Sequence, residues 1–342
     1  MGFFTTKTDG KQADTNSGGS GAEVAMRATE VGSSPAVRVY EPRDSPYIAK
    51  NLHGQVHEYF RDGLLDDIMR QHADRSPVTV FDVGANIGIF ALEVQRRTHG
   101  EARIFCFEPM PVTRAVLQKN ITETIDPATP FREAGSRVRA MPFGLSDSAR
   151  NVTFQFRPHA PECSSMYDPG LLKSSMPTAK MSRDEEIDFF TDKAYHPDFP
   201  LWKEHPMMYC VVKTVWPRFM LRAGVARWWD SFNKTEDVAA ELRTLSSVIE
   251  EHKVKRIDLL KIDVELAELD VLKGINDEDW PKVNAVVVEV HDIDGRLAAM
   301  QSLLSAHGIT EHTVVQENEM KGGHIYNLCA RRPLSSMTDV SF

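Results

Sequence analysis

A chain of 342 residues, 42% hydrophobic and 26% charged, has the make-up of an ordinary globular protein, with room for one large domain or two small ones. Its formal net charge of −9 argues against nucleic acid as a partner, because binding phosphates needs a basic face. No apolar run is long enough to cross a membrane, and the first residues lack the charged start and apolar core of a signal peptide, so a cytoplasmic protein with no integral membrane segment is expected.

Residues 1–36 are rich in Gly, Ser, Thr and Ala without apolar period and read as a disordered tail. Met1-Gly2-Phe3-Phe4-Thr5-Thr6 formally fits an N-myristoylation pattern, but bulky Phe3 beside the glycine favours an ordinary tail. Residues 37–75 are expected to cover one side of the pocket built by the elements after them. Val37–Tyr40 alternates like an edge strand, and a helix is expected after Gly63, with Leu64, Leu65, Ile68 and Met69 apolar.

Val78, Val80, Phe81 and Val83 form the short apolar run of a central parallel strand. Gly84 and Gly88 then allow a tight turn, and a helix is predicted over Ile87–Arg97. Arg103–Phe107 is a second strand with Glu108 at its C-terminal end, where an acidic residue can accept both ribose hydroxyls of an adenosine. The glycines are spaced G-x-x-x-G, and Asn86 and Ile87 fill the space a pyrophosphate needs. The loop therefore suits an adenosine ligand without phosphates, such as S-adenosylmethionine. The plain alternative is a glycine turn that only packs helix on strand.

Pro111–Thr124 is predicted as a helix and Arg137–Leu145 as a third strand, ending in Ser146-Asp147. Ligands in open α/β sheets bind at such strand ends, so Asp147 is a candidate for the adenine amino group; a turn-forming Asp is an equal alternative. Val152–Phe156 alternates like a further strand. Residues 158–237 break the rhythm and hold Trp202, Trp216, Trp228 and Trp229. They read as a long insertion, either a cap on the acceptor pocket or, more plainly, a variable segment with its own small core. Beyond it come a helix over Ala239–His252, a strand over Ile257–Ile262 ending in Asp263, and a helix over Glu265–Lys273 stopped by Gly274. A strand over Ala285–Val290 ends in His291, a helix spans Leu297–His307, and Thr313–Val315 and Tyr326–Ala330 close the sheet. The alternation predicts an α/β fold: a doubly wound, mostly parallel, Rossmann-like sheet with its strand ends on one rim.

Cys106, Cys163, Cys210 and Cys329 show no metal-ligand spacing, and Cys106 and Cys329 read as buried thiols. Asn120, Asn151 and Asn233 begin N-x-T sequons that carry no weight without a secretory signal.

The ordered set Phe81-Asp82-Val83-Gly84-Ala85-Asn86-Ile87-Gly88, Phe107-Glu108-Pro109, Leu145-Ser146-Asp147 and Leu260-Lys261-Ile262-Asp263-Val264-Glu265 resembles the FkbM-type methyltransferases. Glu268, Leu269, Leu272, Lys273, Gly274 and Val288-Glu289-Val290-His291 fit the same pattern. The resemblance covers about residues 76–330 apart from the insertion, leaving 331–342 as a tail. It implies S-adenosylmethionine as donor and a hydroxyl on a sugar, polyketide or other small metabolite as acceptor. It further implies that Asp82, Gly84, Asn86 and Gly88 form the donor loop, that Glu108 binds ribose, that Ser146 and Asp147 lie at the adenine, and that Asp263 and Glu265 lie beside the reacting methyl. One departure is Leu266, where the family usually has glycine.

A hydroxyl acceptor needs a base. Asp263, Glu265, Glu289 and His291 all fall at strand ends on the ligand rim, and either His291 or Asp263 is expected to take the proton. Against this, Glu265 could merely stabilise a helix start, and His291 could merely bond backbone. Carboxylates can also hold a divalent cation, but their spacing gives no support and no metal is expected. The rival classes are an NAD-dependent oxidoreductase, which the glycine spacing opposes, and a binding protein that keeps the fold without turnover.

Overall fold

The computed structural model describes residues 24–32, 36–46, 48–60, 63, 67–68, 77–125, 137–196, 210, 218–317 and 320–333. These fall into two compact units, one comprising residues 26–179 and 235–342 and the other including 180–234.

In the larger unit the strands are β1 (Met26–Val31), β2 (Val37–Pro42), β3 (Thr79–Val83), β4 (Arg103–Phe107), β5 (Val138–Met141), β6 (Gly144–Leu145) and β7 (Arg150–Phe156). The chain continues with β8 (Glu236–Arg243), β9 (Leu259–Ile262), β10 (Ala285–His291), β11 (Glu311–Val315) and β12 (Ile325–Arg331). The central sheet has seven strands in the order β11-β12-β10-β9-β3-β4-β5. All neighbours from β10 to β5 are parallel, and β12 runs antiparallel to both β10 and β11. This is the expected doubly wound, mostly parallel sheet. Chain order reverses between β3 and β9, the kind of switch point where α/β sheets open a ligand crevice.

The register fixes what meets in that crevice. Val83 pairs with Phe107 and with Ile262, and Ile262 pairs with Val288. The next residue on each strand is therefore Gly84, Glu108, Asp263 or Glu289, and the four stand side by side along the rim. His291 lies two residues beyond Glu289 and so shares its face.

Both sheet faces are covered, which is why the strands read as nearly continuous apolar runs, interrupted by Asp82 in β3 and Lys261 in β9. Phe81, Val83, Phe105 and Phe107 join Leu245, Val248, Val271, Leu272, Met300 and Leu304 of three helices in one core. The alternate residues Val80, Ile104 and Cys106 are fully buried too.

Several elements differ from the sequence-based expectation. The tail expected through residue 36 contains β1, which pairs antiparallel with β2 in a separate sheet. In the cover segment a further helix, Ile48–Tyr59, precedes Gly63; after Gly63 the described residues Asp67 and Ile68 are helical, with Asp67 N donating to Gly63 O at 2.8 Å, and the other residues of the expected helix lie outside the described ones. The helix after β3 begins at Ile89, because Gly88 adopts a left-handed φ of 91° at its N-cap. The helix from Pro111 ends at Asn120 and widens into a π turn over Ile121–Ile125. The third strand divides into β5 and β6, and β6 leaves the central sheet to pair with β8. Residues 236–243 form β8, not the start of a helix: they pair antiparallel with β7, and the helix begins only after Thr244, whose side chain accepts from Ser247 N.

The insertion also divides. Residues up to 179 belong to the larger unit. The smaller unit holds helices Arg183–Tyr195 and Arg218–Phe232 around a core of Ile187, Ala194, Leu221 and Val225, with Phe190, Trp228 and Trp229 packed on it. Arg222 bridges Asp184 and Asp188, and Arg218 bridges Asp192. Trp202 and Trp216 lie outside the described residues. The insertion is carried by a hairpin, since Phe156 of β7 pairs directly with Glu236 of β8.

Candidate active site

The cavity at the switch point is walled by the ends of β3, β4, β9 and β10, by the Ile48–Tyr59 helix and by residues 161–166 from the start of the insertion. Gly84 is required by space as well as by its φ of 78°: a Cβ there would lie 1.8 Å from the Asp263 carbonyl oxygen. Four of the turn's N–H groups are already committed. Gly84 N and Ala85 N both donate to Phe107 O at 3.1 and 3.0 Å, Gly88 N donates to Ala85 O, and Asn86 N donates to Glu108 Oε2 at 3.0 Å. These four amides bond within the fold and not toward a ligand, which weighs against a pyrophosphate cradle and so against the NAD alternative.

Glu108 receives a second backbone donor, Met110 N on Oε1 at 2.9 Å. Burial pushes its pKa up to about 7, against the lowering effect of those two N–H bonds. Beneath it, Lys261 Nζ donates to Gly84 O at 2.9 Å and sits 3.4 Å from Asp82 and 3.3 Å from Asp263. Burial alone would lower the lysine pKa; the two carboxylates outweigh that and raise it. Asp82 is fully buried, and burial raises its pKa even against Lys261.

On the opposite side stands an acidic group. Tyr59 hydroxyl donates to Asp263 Oδ2 at 3.3 Å. Glu265 and Leu266 turn the chain with φ of 53° and 83° before the helix Glu268–Lys273 begins. Ser165 Oγ donates to Glu265 O, Arg296 donates to Leu266 O, and Leu266 N donates to Glu268 Oε1, so three side chains hold this turn. His291 is buried with Nδ1 3.1 Å from Glu268 Oε1 and Nε2 3.2 Å from Glu265 Oε2. Burial works against its charge, but Glu268 and Glu265 prevail and hold its pKa well above the ordinary histidine value. Glu289 faces the cavity, and burial and then Asp263 raise its pKa well above that of an ordinary glutamate.

Over 287 residues the chain is 31% identical to the 31-O-demethyl-FK506 methyltransferase of Streptomyces tacrolimicus, a match spanning 82% of this chain and 91% of that protein. The chain belongs to the FkbM methyltransferase family. The FkbM methyltransferase domain is matched by residues 215–311. Methyltransferase sdnD of Sordaria araneosa is 30% identical over 237 residues, covering 67% of this chain and 72% of that protein. A crystal structure of an FkbM methyltransferase from Methylobacillus flagellatus KT is 13% identical with a TM-score of 0.39, covering 74% of this chain and 43% of that one.

Within this methyltransferase, Gly84, Asn86, Glu108, Asp263, Glu265 and His291 line a single cavity. Four other expected site residues do not line it. Asp82 lies behind Gly84 as partner to Lys261, and Gly88 packs under Leu117 and Ile125. Ser146 is buried beside Arg150, and Asp147 is turned outward to Arg150 and Ser148, contacts that lower its pKa. For Asp147 the local turn role is what the structure displays. Lys261 and Glu268 enter the sequence reading only as parts of the family pattern, with no role attached, and Tyr59 is not among its site residues. The signal for Lys261 was present, since a lysine between Leu260 and Ile262 in a central strand needs a buried counter-charge. Nothing in the spacing marks Tyr59.

Leu266 packs inward from the Glu265–Leu266 turn. Its φ of 83° is strained for a side-chain-bearing residue, but the side chain is 1% exposed and gains burial in return. Leu266→Gly is expected to lose about 1–3 kcal/mol, because the lost packing exceeds the relieved strain. Denaturant unfolding reads this directly, and a stabilised variant would mean that strain dominates.

Proposed function

We propose that this methyltransferase uses S-adenosylmethionine to methylate a hydroxyl of a small metabolite such as a sugar or polyketide, in the cytoplasm. The observation that carries the reading is the rim register: Gly84 and Glu108 stand beside Asp263 and Glu289 on one cavity. The relative from Streptomyces tacrolimicus is named for an oxygen-linked position, which favours a hydroxyl acceptor. Among the described residues no helix is long and apolar enough to cross a membrane.

The donor's chemistry fits the residues present. Each Glu108 oxygen carries one backbone N–H and keeps a lone pair for a ribose hydroxyl. Asn86 Oδ1 is a buried acceptor at the cavity with no hydrogen-bond partner. Phe107, Met110, Leu145 and Phe154 offer an apolar wall to a base. When bound, S-adenosylmethionine supplies a methyl on a sulfonium, ready for in-line displacement by oxygen. The chain's part is to align the acceptor hydroxyl and take its proton. Asp263 is the proposed base. It borders both the donor loop and the acidic group, with Tyr59 and Lys261 orienting its carboxylate. His291 is less suited to that task, because both ring nitrogens face carboxylates. Glu265 and Glu289 line the part of the cavity proposed for the acceptor.

Calorimetric titration of the purified protein with S-adenosylmethionine, with NAD as control, tests the reading. Binding of the first alone is expected. Binding of NAD, or of neither, would overturn it.

A further inference from the structure

His291 and Glu265 present an unexplained pair of atoms. His291 is 1% exposed, yet its Nε2 has no hydrogen-bond partner, and neither has Glu265 Oε2 only 3.2 Å away. The two are close enough to attract but not aligned to bond. Glu289 brings a carboxylate oxygen into the same space, so that one ligand atom from each of the three residues lies within 4.8 Å of the others. Among the described residues no hydrogen bond engages the Glu289 carboxyl. A buried imidazole nitrogen and two carboxylates converging without partners form the donor set of a cation site.

We propose that Glu265, Glu289 and His291 bind a divalent transition-metal ion of the Mn2+ type. Glu268 is in place to orient the ring: its Oε1 lies 3.1 Å from Nδ1, the carboxylate–histidine arrangement that fixes the tautomer and aims Nε2 at a metal. One imidazole nitrogen beside two hard oxygens selects Mn2+ or Zn2+ over Ca2+ or Mg2+, which take all-oxygen sets. The charge balance agrees. Asp263, Glu265, Glu268 and Glu289 crowd around the site, and among the described residues the ion pairs of Lys261 go to Asp263 and, behind it, Asp82, not to Glu265 or Glu289.

Three protein ligands leave coordination positions open toward the cavity, which suits an acceptor offering one oxygen or two neighbouring ones to the ion. That last step rests on the methyl-transfer reading; the ion site does not. Linear spacing hides it, since Glu265 and the Glu289/His291 pair come from different elements, and the backbone reversal at Glu265–Leu266 is what turns Glu265 toward them.

The full chain, stripped with EDTA and titrated with Mn2+ alone, provides the test. Electron paramagnetic resonance follows loss of the free-ion signal, and the melting temperature follows linked stabilisation. Wild type is expected to bind one ion per chain and to melt higher with it, whereas Glu289→Gln and Glu265→Gln each bind at least ~10-fold more weakly. The melting temperature without metal checks folding, and if one variant fails to fold the other supplies the comparison. Absence of Mn2+ binding by the wild type would overturn the proposal, as would binding that both variants retain unchanged. Because no donor is added, this outcome is independent of the titration with S-adenosylmethionine.

Discussion

Lys261→Met is expected to destabilise the protein by about 3–5 kcal/mol, the usual consequence of stranding a buried charge. The lysine lies in β9 between Leu260 and Ile262, and its ammonium is the only group within 4 Å that answers Asp82 among the described residues. Asp82 is fully buried and both its carboxylate oxygens lack a hydrogen bond, whereas the Asp263 side chain remains 26% exposed and can recover water. The penalty therefore falls on Asp82. Adding Asp82→Asn to Lys261→Met should recover most of the loss, since the charge that needed a partner is gone. The pH dependence has a definite sign. The pKa of Asp82 is already raised by burial, and removing the lysine raises it further, so the deficit of the single variant shrinks as pH falls and Asp82 takes up a proton. Urea unfolding at pH 5 and pH 8 measures both effects. A single variant within about 1 kcal/mol of wild type at pH 8 would mean that Asp82 carries no charge in the native state.

The sheet was legible because its strands are buried on both faces and alternate with helices. Val80–Val83, Arg103–Phe107 and Ala285–Val290 carry that mark, and their ends give the rim. What escaped depended on distant partners. Glu236–Arg243 contains Ala239, Ala240, Glu241 and Leu242, good helix formers, and becomes a strand only because β7 lies beside it. The helix Ile48–Tyr59 is amphipathic, so its apolar stripe was present in the sequence, but Gly54 interrupts it and the apolar residues after Gly63 compete with it. At the site, Glu108 was legible from its place after a strand. For Asp147 the sequence left adenine contact and turn former as equal readings, although Arg150 three residues on was available to hold it outward. The turn at Glu265–Leu266 was the least legible, because two side-chain-bearing residues at positive φ have no propensity signature and are held by Ser165, Glu268 and Arg296 from elsewhere in the chain.

Glu108→Gln is expected to weaken S-adenosylmethionine binding about 100-fold or more and to flatten its pH dependence. The wild-type carboxylate accepts two backbone N–H bonds and, in the proposed complex, two ribose hydroxyls; glutamine keeps one acceptor oxygen and turns an amide donor toward groups that are donors themselves. The pH sign follows from the pKa of about 7 that burial gives this glutamate. Below that value the free protein holds a neutral carboxyl, and binding two hydroxyl donors requires the proton to leave. Affinity should therefore fall as pH drops below about 7, by up to tenfold per unit, and level off above it. The proton itself can be counted, because calorimetry in buffers of different ionisation enthalpy should show release at pH 6 and little at pH 8.5. The variant should show neither the release nor the slope. If Glu108→Gln bound the donor as tightly as wild type, the ribose would have to lie elsewhere in the cavity. If affinity fell while the wild type showed no proton release at pH 6, the glutamate would already be ionised in the free protein, held so by Asn86 N and Met110 N against its burial.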